Sequence, residues 1–521
     1  FRSCVVAMQR LPLELGIQIK WIAWSASWHA ANKLGGCEKA AATDFQKLEQ
    51  NFHTAEELAS KANPGLSRHT LDDMREMAWG AAWHAAHQRI DGDTDAAEDY
   101  KTVFLSRSEF LSCSLEISKK LATNLKWMCW NAAWCAANFK KGLKNDSLKD
   151  KATFERHWRH TVGRVFRGVN LGGWLLLQRW MCSQAFLGLK EVEVPDEYSL
   201  CCVLSPGERT KHIDTWRNTW ITRQDFEEIR NVGFDSVRIP FGFWCVEGIE
   251  AFGIDRGPFV GPCMQYIDNA VSWAKDTNIS VILDLTGAPG FQSGEAWCGR
   301  RNPNWKPSDF DPSKTVEVLR NVAARYSNHD NVVGISVVSQ PSNRISASNL
   351  VKFYRSAYAA IRGAGMRAHR VTIHFPIFQR SASEIFALGF PDRGMEDVMV
   401  DLDWQWSSDE RVQGMTLREL SRHIKAGPGR PVTVDQVLAA GLEASVSAWN
   451  LQLPLSSDAF PIAREWARIT HAQQEHAMHE HASSQMAALR KASGWSFWGW
   501  KTDPPLMPSC SARGAKARGW L

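Results

Sequence analysis

Apolar and small residues recur at helical spacing through the first 142 residues, and the pattern repeats itself. Trp24-Ser25-Ala26-Ser27-Trp28-His29-Ala30-Ala31-Asn32 returns as Trp79-Gly80-Ala81-Ala82-Trp83-His84-Ala85-Ala86-His87, and again as Trp130-Asn131-Ala132-Ala133-Trp134-Cys135-Ala136-Ala137-Asn138. The spacings, 55 and 51 residues, suit helical repeat units. Each copy places Trp at i and i+4 with small residues between; Trp21 and Trp127 precede two of the copies by three, which keeps them on the same helix face. Gly35-Gly36, Gly92 and Gly142 read as helix stops, and Asp44 to Lys61 and Thr94 to Leu105 as further helices. The region is therefore read as three helical hairpins packed through a Trp/Ala seam. The seam serves either as a packing core or as an exposed stripe for a glycan, pigment or protein partner.

The character then changes. A lysine-rich polar stretch, Lys140 to Lys151, reads as a linker. Beyond it, short β-type runs alternate with amphipathic helical segments, which implies a parallel sheet. The runs are Arg164–Asn170, Ser236–Phe241, Ser280–Leu285, Val332–Val338, Arg370–Phe375, Val398–Asp403, Pro431–Gln436 and Trp495–Trp500. Eight such units predict an α/β fold of the (β/α)8 kind, with its chemistry at the carboxyl ends of the strands. The expected organisation is an all-α repeat domain over 1–142, a linker over 143–157 and a barrel over 158–521.

Composition narrows the function classes. The 521 residues are 44% apolar and 22% charged, ordinary for a globular protein, and the net charge of +5 is spread along the chain. That mixing leaves no nucleic-acid footprint. No apolar run nears the roughly 20 residues of a membrane span. The start at Phe1 suggests a processed or incomplete chain. The 12 cysteines form no CxxC pair and no zinc spacing. His471, His476, His479 and His481 fall on a segment expected to be a solvated outer helix, so neither metal nor cofactor is expected. Tryptophan is the outlier, at 25 residues.

The strand ends carry a resemblance. Arg167-Gly168-Val169-Asn170-Leu171-Gly172-Gly173-Trp174-Leu175, Val237-Arg238-Ile239-Pro240, Asp284-Leu285-Thr286-Gly287-Ala288-Pro289-Gly290 and Gly494-Trp495-Ser496-Phe497-Trp498-Gly499-Trp500 come in the right order. Over about residues 160–505 they resemble glycoside hydrolase family 5, in its exo-β-1,3-glucanase branch. That resemblance implies a retaining glycosidase, which needs two carboxyl groups about 5–5.5 Å apart. The family's Asn-Glu-Pro, carrying the acid/base, reads Ser339-Gln340-Pro341 here. The nucleophile's Gly-Glu-Trp-Ser-Ala-Ala reads Asp435-Gln436-Val437-Leu438-Ala439-Ala440. Gln178 stands for a glutamate that holds the terminal sugar, and Thr286 for a sugar-binding histidine. Leu402-Asp403-Trp404-Gln405 replaces a His-x-Tyr. Arg238, which orients the nucleophile in the family, and Trp498, the floor under the sugar, are retained.

An amide neither titrates near neutral pH nor attacks as a carboxylate does. Three Glu-to-Gln changes keep size and remove charge. The expectation is a barrel that has lost hydrolysis and binds a glycan such as β-glucan, or acts as a structural subunit. Two alternatives remain: an active glucosidase or transglycosylase using Asp435, Asp284, Asp401, Asp403 or Glu295, and a scaffold engaging protein partners through the Trp repeats. The resemblance also implies an extracellular or secretory setting.

Overall fold

Each Trp motif sits on a long helix that turns back on a partner. The computed structural model describes residues 11, 13–61, 68–92, 96–113, 117, 119–162, 166–368, 370–392, 394–405, 407, 412–426, 433–440, 442–489, 492–503 and 508–521. They form two units, divided after Val165. In the first, α1 (Leu13–Leu34) pairs with α2 (Glu38–Lys61), α3 (Arg68–Ala86) with a π-helical stretch Asp99–Leu105 and α4 (Ser106–Cys113), and α5 (Lys119–Lys140) with α6 (Lys144–Val162). The motif helices α1, α3 and α5 also pack on one another. Ala26, Ala81 and Ala132, and Ala30, Ala85 and Ala136, occupy equivalent positions in the copies and are all fully buried. Small side chains there let three helices approach closely.

A clasp recurs in every hairpin, always between residues twelve apart. His29 Nδ1 meets the Ala41 carbonyl at 2.7 Å, His84 Nδ1 meets the Ala96 carbonyl, and in the third copy the Ser147 hydroxyl donates to the Cys135 carbonyl at 2.9 Å. Next along, Asn32 donates to Asp44 at 2.8 Å, His87 meets Asp99 at 2.8 Å and Asn138 donates to Asp150 at 2.7 Å. The repeated motif is thus one half of a hydrogen-bonded hairpin. Its other half, an aspartate twelve residues on, carries no repeated word around it.

The three hairpins close on themselves. Lys20 lies over the Phe154 ring, Arg75 over Phe52 and Lys126 over Phe104. Each contact runs from a motif helix to the second arm of the preceding hairpin, with the third feeding the first. His29 on Trp79 and His84 on Trp130, at 5.2 and 5.1 Å, link the copies in the opposite sense. A closed ring needs no polar capping repeat, unlike an open solenoid.

The segment expected as a linker is therefore part of this unit. Its lysines point outward, while Ser147 and Phe154 are buried against α5. A polar sequence with a narrow apolar stripe is a surface helix, and the barrel begins at Phe166 rather than 158.

In the second unit β1 (Phe166–Asn170), β2 (Ser236–Gly242), β3 (Ser280–Gly287), β4 (Val332–Ser336), β5 (Thr372–Pro376), β6 (Val398–Trp404), β7 (Glu443–Trp449) and β8 (Gly494–Phe497) form a closed parallel barrel in chain order. Phe166, Ile282, Val333 and Met399 plug its lower end with an apolar layer. Cys245 and Cys263, flanking the loop after β2, form a disulfide.

One strand was misplaced. The run Pro431–Gln436 is not β7: Pro431 and Val432 lie outside the described residues, and Val434–Ala439 is a short helix. The true β7 reads Glu-Ala-Ser-Val-Ser-Ala-Trp and is poor in large apolar residues, because Ser445 and Ser447 hydrogen-bond to partners on β6 and around it. The histidine-rich helix His471–Leu489 exposes His471, His476 and His479 as expected, but buries His481. The His481 Nε2 lies 3.0 Å from Gln485 Nε2, which donates to the Asn450 carbonyl at 2.7 Å.

Two outcomes are expected. A Cβ on Gly80 would sit 2.7 Å from the Phe104 backbone nitrogen. Gly80→Val should therefore destabilise the ring by about 1–3 kcal/mol, read as faster amide exchange in Arg68–Ala86; unchanged exchange would contradict the packing. Burial lowers the His481 pKa to about 4. The unfolded chain then takes up the proton first as pH falls, so stability is lost between about pH 6.5 and 4, by about 3 kcal/mol at pH 4. His481→Leu should flatten that part of a urea-midpoint profile against pH, and an unaltered slope would exclude the assignment.

Candidate active site

The barrel interior turns polar one layer above its apolar plug. Arg238, from β2, places Nε 3.0 Å from Asp284 Oδ2 and Nη1 2.8 Å from Asp401 Oδ2, and its Nη2 donates to Ser336 Oγ at 2.9 Å. Asp401 accepts a second bond from Ser445 Oγ at 2.8 Å, and that hydroxyl lies 3.1 Å from His374 Nδ1. Gly334 makes room for the imidazole, since a Cβ there would stand 2.9 Å from Nε2. All of these side chains are buried. Burial works against the Arg238 charge, but the two carboxylates outweigh it and raise its pKa. Burial also raises the Asp401 carboxyl, against the pull of Arg238.

Strand alternation fixes which residues join this layer and which lie above it. Thr286 and Ser339, expected to face a ligand, turn down to Asp284 instead. Ser339 Oγ donates to its two oxygens at 2.7 and 2.8 Å, and Thr286 Oγ1 to one of them at 3.1 Å. Arg238 was expected to meet the amide of Gln436, and is instead enclosed by Asp284 and Asp401. Gln436 lies elsewhere. It is exposed in the helix Val434–Ala439, where its side chain accepts from the Thr433 amide at 2.9 Å in a capping box. Asp435 is exposed on the same helix.

Gln340 does reach the upper layer. It sits just past β4 with φ of 46°, and its amide donates to the Asp403 carboxylate from the end of β6. Asp403 also accepts from the Gln405 backbone at 3.2 Å and from its side chain at 3.4 Å. Trp404 is buried beside it. Gln178 donates to the Trp297 carbonyl at 3.4 Å, and the half-buried Trp297 ring lies 6.1 Å from Phe378. Trp498 packs with Met181 and Ala448, whereas Trp500 points into the core and donates to Asp225 at 2.9 Å. That separates two tryptophans that share one face in the sequence.

Sequence reasoning missed three residues. Gln292 is buried and donates to the Ser339 carbonyl at 2.8 Å and to the Thr286 carbonyl, which clamps the ends of β3 and β4 together. Its only signal is its place two residues after the Gly-Ala-Pro-Gly motif. Asn170 donates to the carbonyls of Ser447 and Phe497 at 2.8 and 3.2 Å, tying β1 to β7 and β8. Phe378, on the loop after β5, carries no motif.

Removing the arginine would leave two buried carboxylates without their cation. Arg238→Met should cost about 3–5 kcal/mol by chemical denaturation, and Asp401→Asn much less, because burial already disfavours that charge. Equal losses in the two variants would overturn the charge arrangement.

The comparisons with known proteins agree with this geometry. A model for the cellulase family, glycosyl hydrolase family 5, matches residues 202–403. A probable glucan 1,3-beta-glucosidase A from Emericella nidulans is 29% identical over 66% of this chain and 87% of its own length. A glucan 1,3-beta-glucosidase from Blumeria graminis is 36% identical over 40% of this chain, and the match spans about half of that relative, 48%. Among solved structures, rutinosidase from Aspergillus niger shares the fold with a TM-score of 0.53 at 14% identity, over 65% of this chain and 90% of its own. The eight strands close in chain order, and the barrel is similar to glycosyl hydrolase family 5 over residues 202–403 and to the glucan 1,3-β-glucosidase relative from Emericella nidulans over most of that relative's length.

Proposed function

We propose that the barrel binds a neutral glycan of the β-glucan class at its carboxyl end and does not hydrolyse it. The observation that carries this reading is the pair formed by Gln340 and Asp403. A retaining glycosidase works with two carboxyl groups about 5–5.5 Å apart, one of them shuttling a proton. An amide in the first position has no proton to shuttle.

The surroundings support the same reading. β7 ends in Ser447-Ala448-Trp449-Asn450, which offers no carboxyl. Asp284 and Asp401 lie a layer lower and are committed to Arg238. Glu295 is exposed on the loop after β3. What persists is suited to holding a sugar: the amides of Gln178, Gln340 and Gln405, and the rings of Trp297, Trp404 and Trp498. Rings take the apolar face of a pyranose, and amides take its hydroxyls.

Titration with β-1,3-gluco-oligosaccharides in a calorimeter, with product analysis after prolonged incubation, tests both halves. Saturable heat without released glucose is expected, and Trp498→Ala should weaken binding about tenfold. Glucose release by the unmodified protein would sink the claim of inactivity. Absence of heat with every oligosaccharide would sink the claim of binding.

A further inference from the structure

A second cavity opens at the same end of the barrel, beside the mouth. Its volume is about 520 Å³, within the range of roughly 300–1,000 Å³ typical of small-molecule sites. Three of its walls follow strands whose ends build the mouth: Ser407 comes after β6, Gln452 after β7 and Ser509 after β8. The outer wall is made by Trp466, Met478 and Trp520.

Chemistry selects the occupant. None of the described lining residues is Asp, Glu, Lys, Arg or His. An ionic ligand would find no opposite charge among them to offset its lost hydration. The Trp520 indole is fixed from outside, because its Nε1 donates to Glu475 at 2.6 Å and the Arg518 guanidinium covers its ring at 5.3 Å. Trp466 offers a second, half-buried ring. The Gln452 amide is oriented as well. Its Oε1 accepts from Ser407 Oγ at 3.4 Å and from Cys510 Sγ at 3.6 Å, so its Nε2 is the donor it has left for a ligand. Rigid indole faces, an aligned amide donor and hydroxyls match a molecule with apolar faces and hydroxyl edges.

We propose that this cavity is a second glycan subsite, which takes sugar units of the chain whose end lies at Gln340 and Asp403. The inference rests on the glycan-binding reading of the mouth and adds a length requirement to it. Short oligosaccharides occupy the mouth alone, and longer ones reach over the β6–β8 loops and stack on Trp466.

The test is calorimetric titration of the full chain with a β-1,3-linked glucose disaccharide and the corresponding hexasaccharide. The unmodified chain should bind the hexasaccharide more tightly. Trp466→Ala and, independently, Gln452→Leu should weaken hexasaccharide binding about five- to tenfold while leaving the disaccharide unchanged. Gln452→Leu guards against a packing defect from loss of the half-buried Trp466, and unchanged disaccharide binding confirms that either variant is folded. Hexasaccharide binding as tight in both variants as in the unmodified chain would overturn the subsite and leave the mouth reading intact. If Trp498→Ala instead left all binding in place and Trp466→Ala removed it, the mouth reading would fail and the cavity would stand. No heat from either sugar with the unmodified chain would overturn both.

Discussion

The upper half of the barrel is organised around one buried cation. Arg238 lies between Asp284 and Asp401, and these two carboxylates place several of the polar side chains around it. Asp284 draws Ser339 and Thr286 downward, and Asp401 draws Ser445, which in turn meets His374. Strands β3 to β7 and the turn after β4 are thereby tied to one charge. Isolated charges do not survive in such an interior, so the network must be satisfied as a whole or not formed at all. The mouth above it inherits its geometry. Gln340 stands beside Asp403 because β4 and β6 are held in place one layer below.

In the family the arginine is expected to serve a nucleophile, but here it has carboxylate partners that do not depend on one. The internal charge balance of the barrel therefore rests on Asp284 and Asp401 and not on the residues at its mouth. Gln340 fits its place in a related way: its amide donates to Asp403, where a carboxylate would be repelled.

The sequence was most legible where physics imposes a pattern over many residues. Seven of the eight strands announced themselves as apolar runs, and the Trp motifs marked their helices correctly. The failures share a cause. β7 hides because hydroxyls and alanines face a polar interior, while Val-Thr-Val before Gln436 imitates a strand and forms the start of a short helix. Extending a motif match over that imitation put Gln436 at the nucleophile's place. The lysine-rich stretch before the barrel hid a helix because its buried side holds few residues, Ser147 and Phe154 among them. Gln292 and Asn170 were invisible for another reason: each acts through backbone carbonyls that no sequence pattern identifies.

The ring of hairpins makes the complementary point about repeats. Its conspicuous Trp and Ala positions give volume and close approach, but the bonds that close each hairpin lie between Asn32, His87 or Asn138 and an aspartate twelve residues later. The third copy shows which part is essential. Cys135 replaces the histidine of the other two, and Ser147 takes over by donating back to the Cys135 carbonyl, so the clasp survives with its polarity reversed. A histidine that can be exchanged in this way serves as a hairpin fastener. What the three copies share is a hydrogen bond across a turn, and more than one pair of residue types can make it.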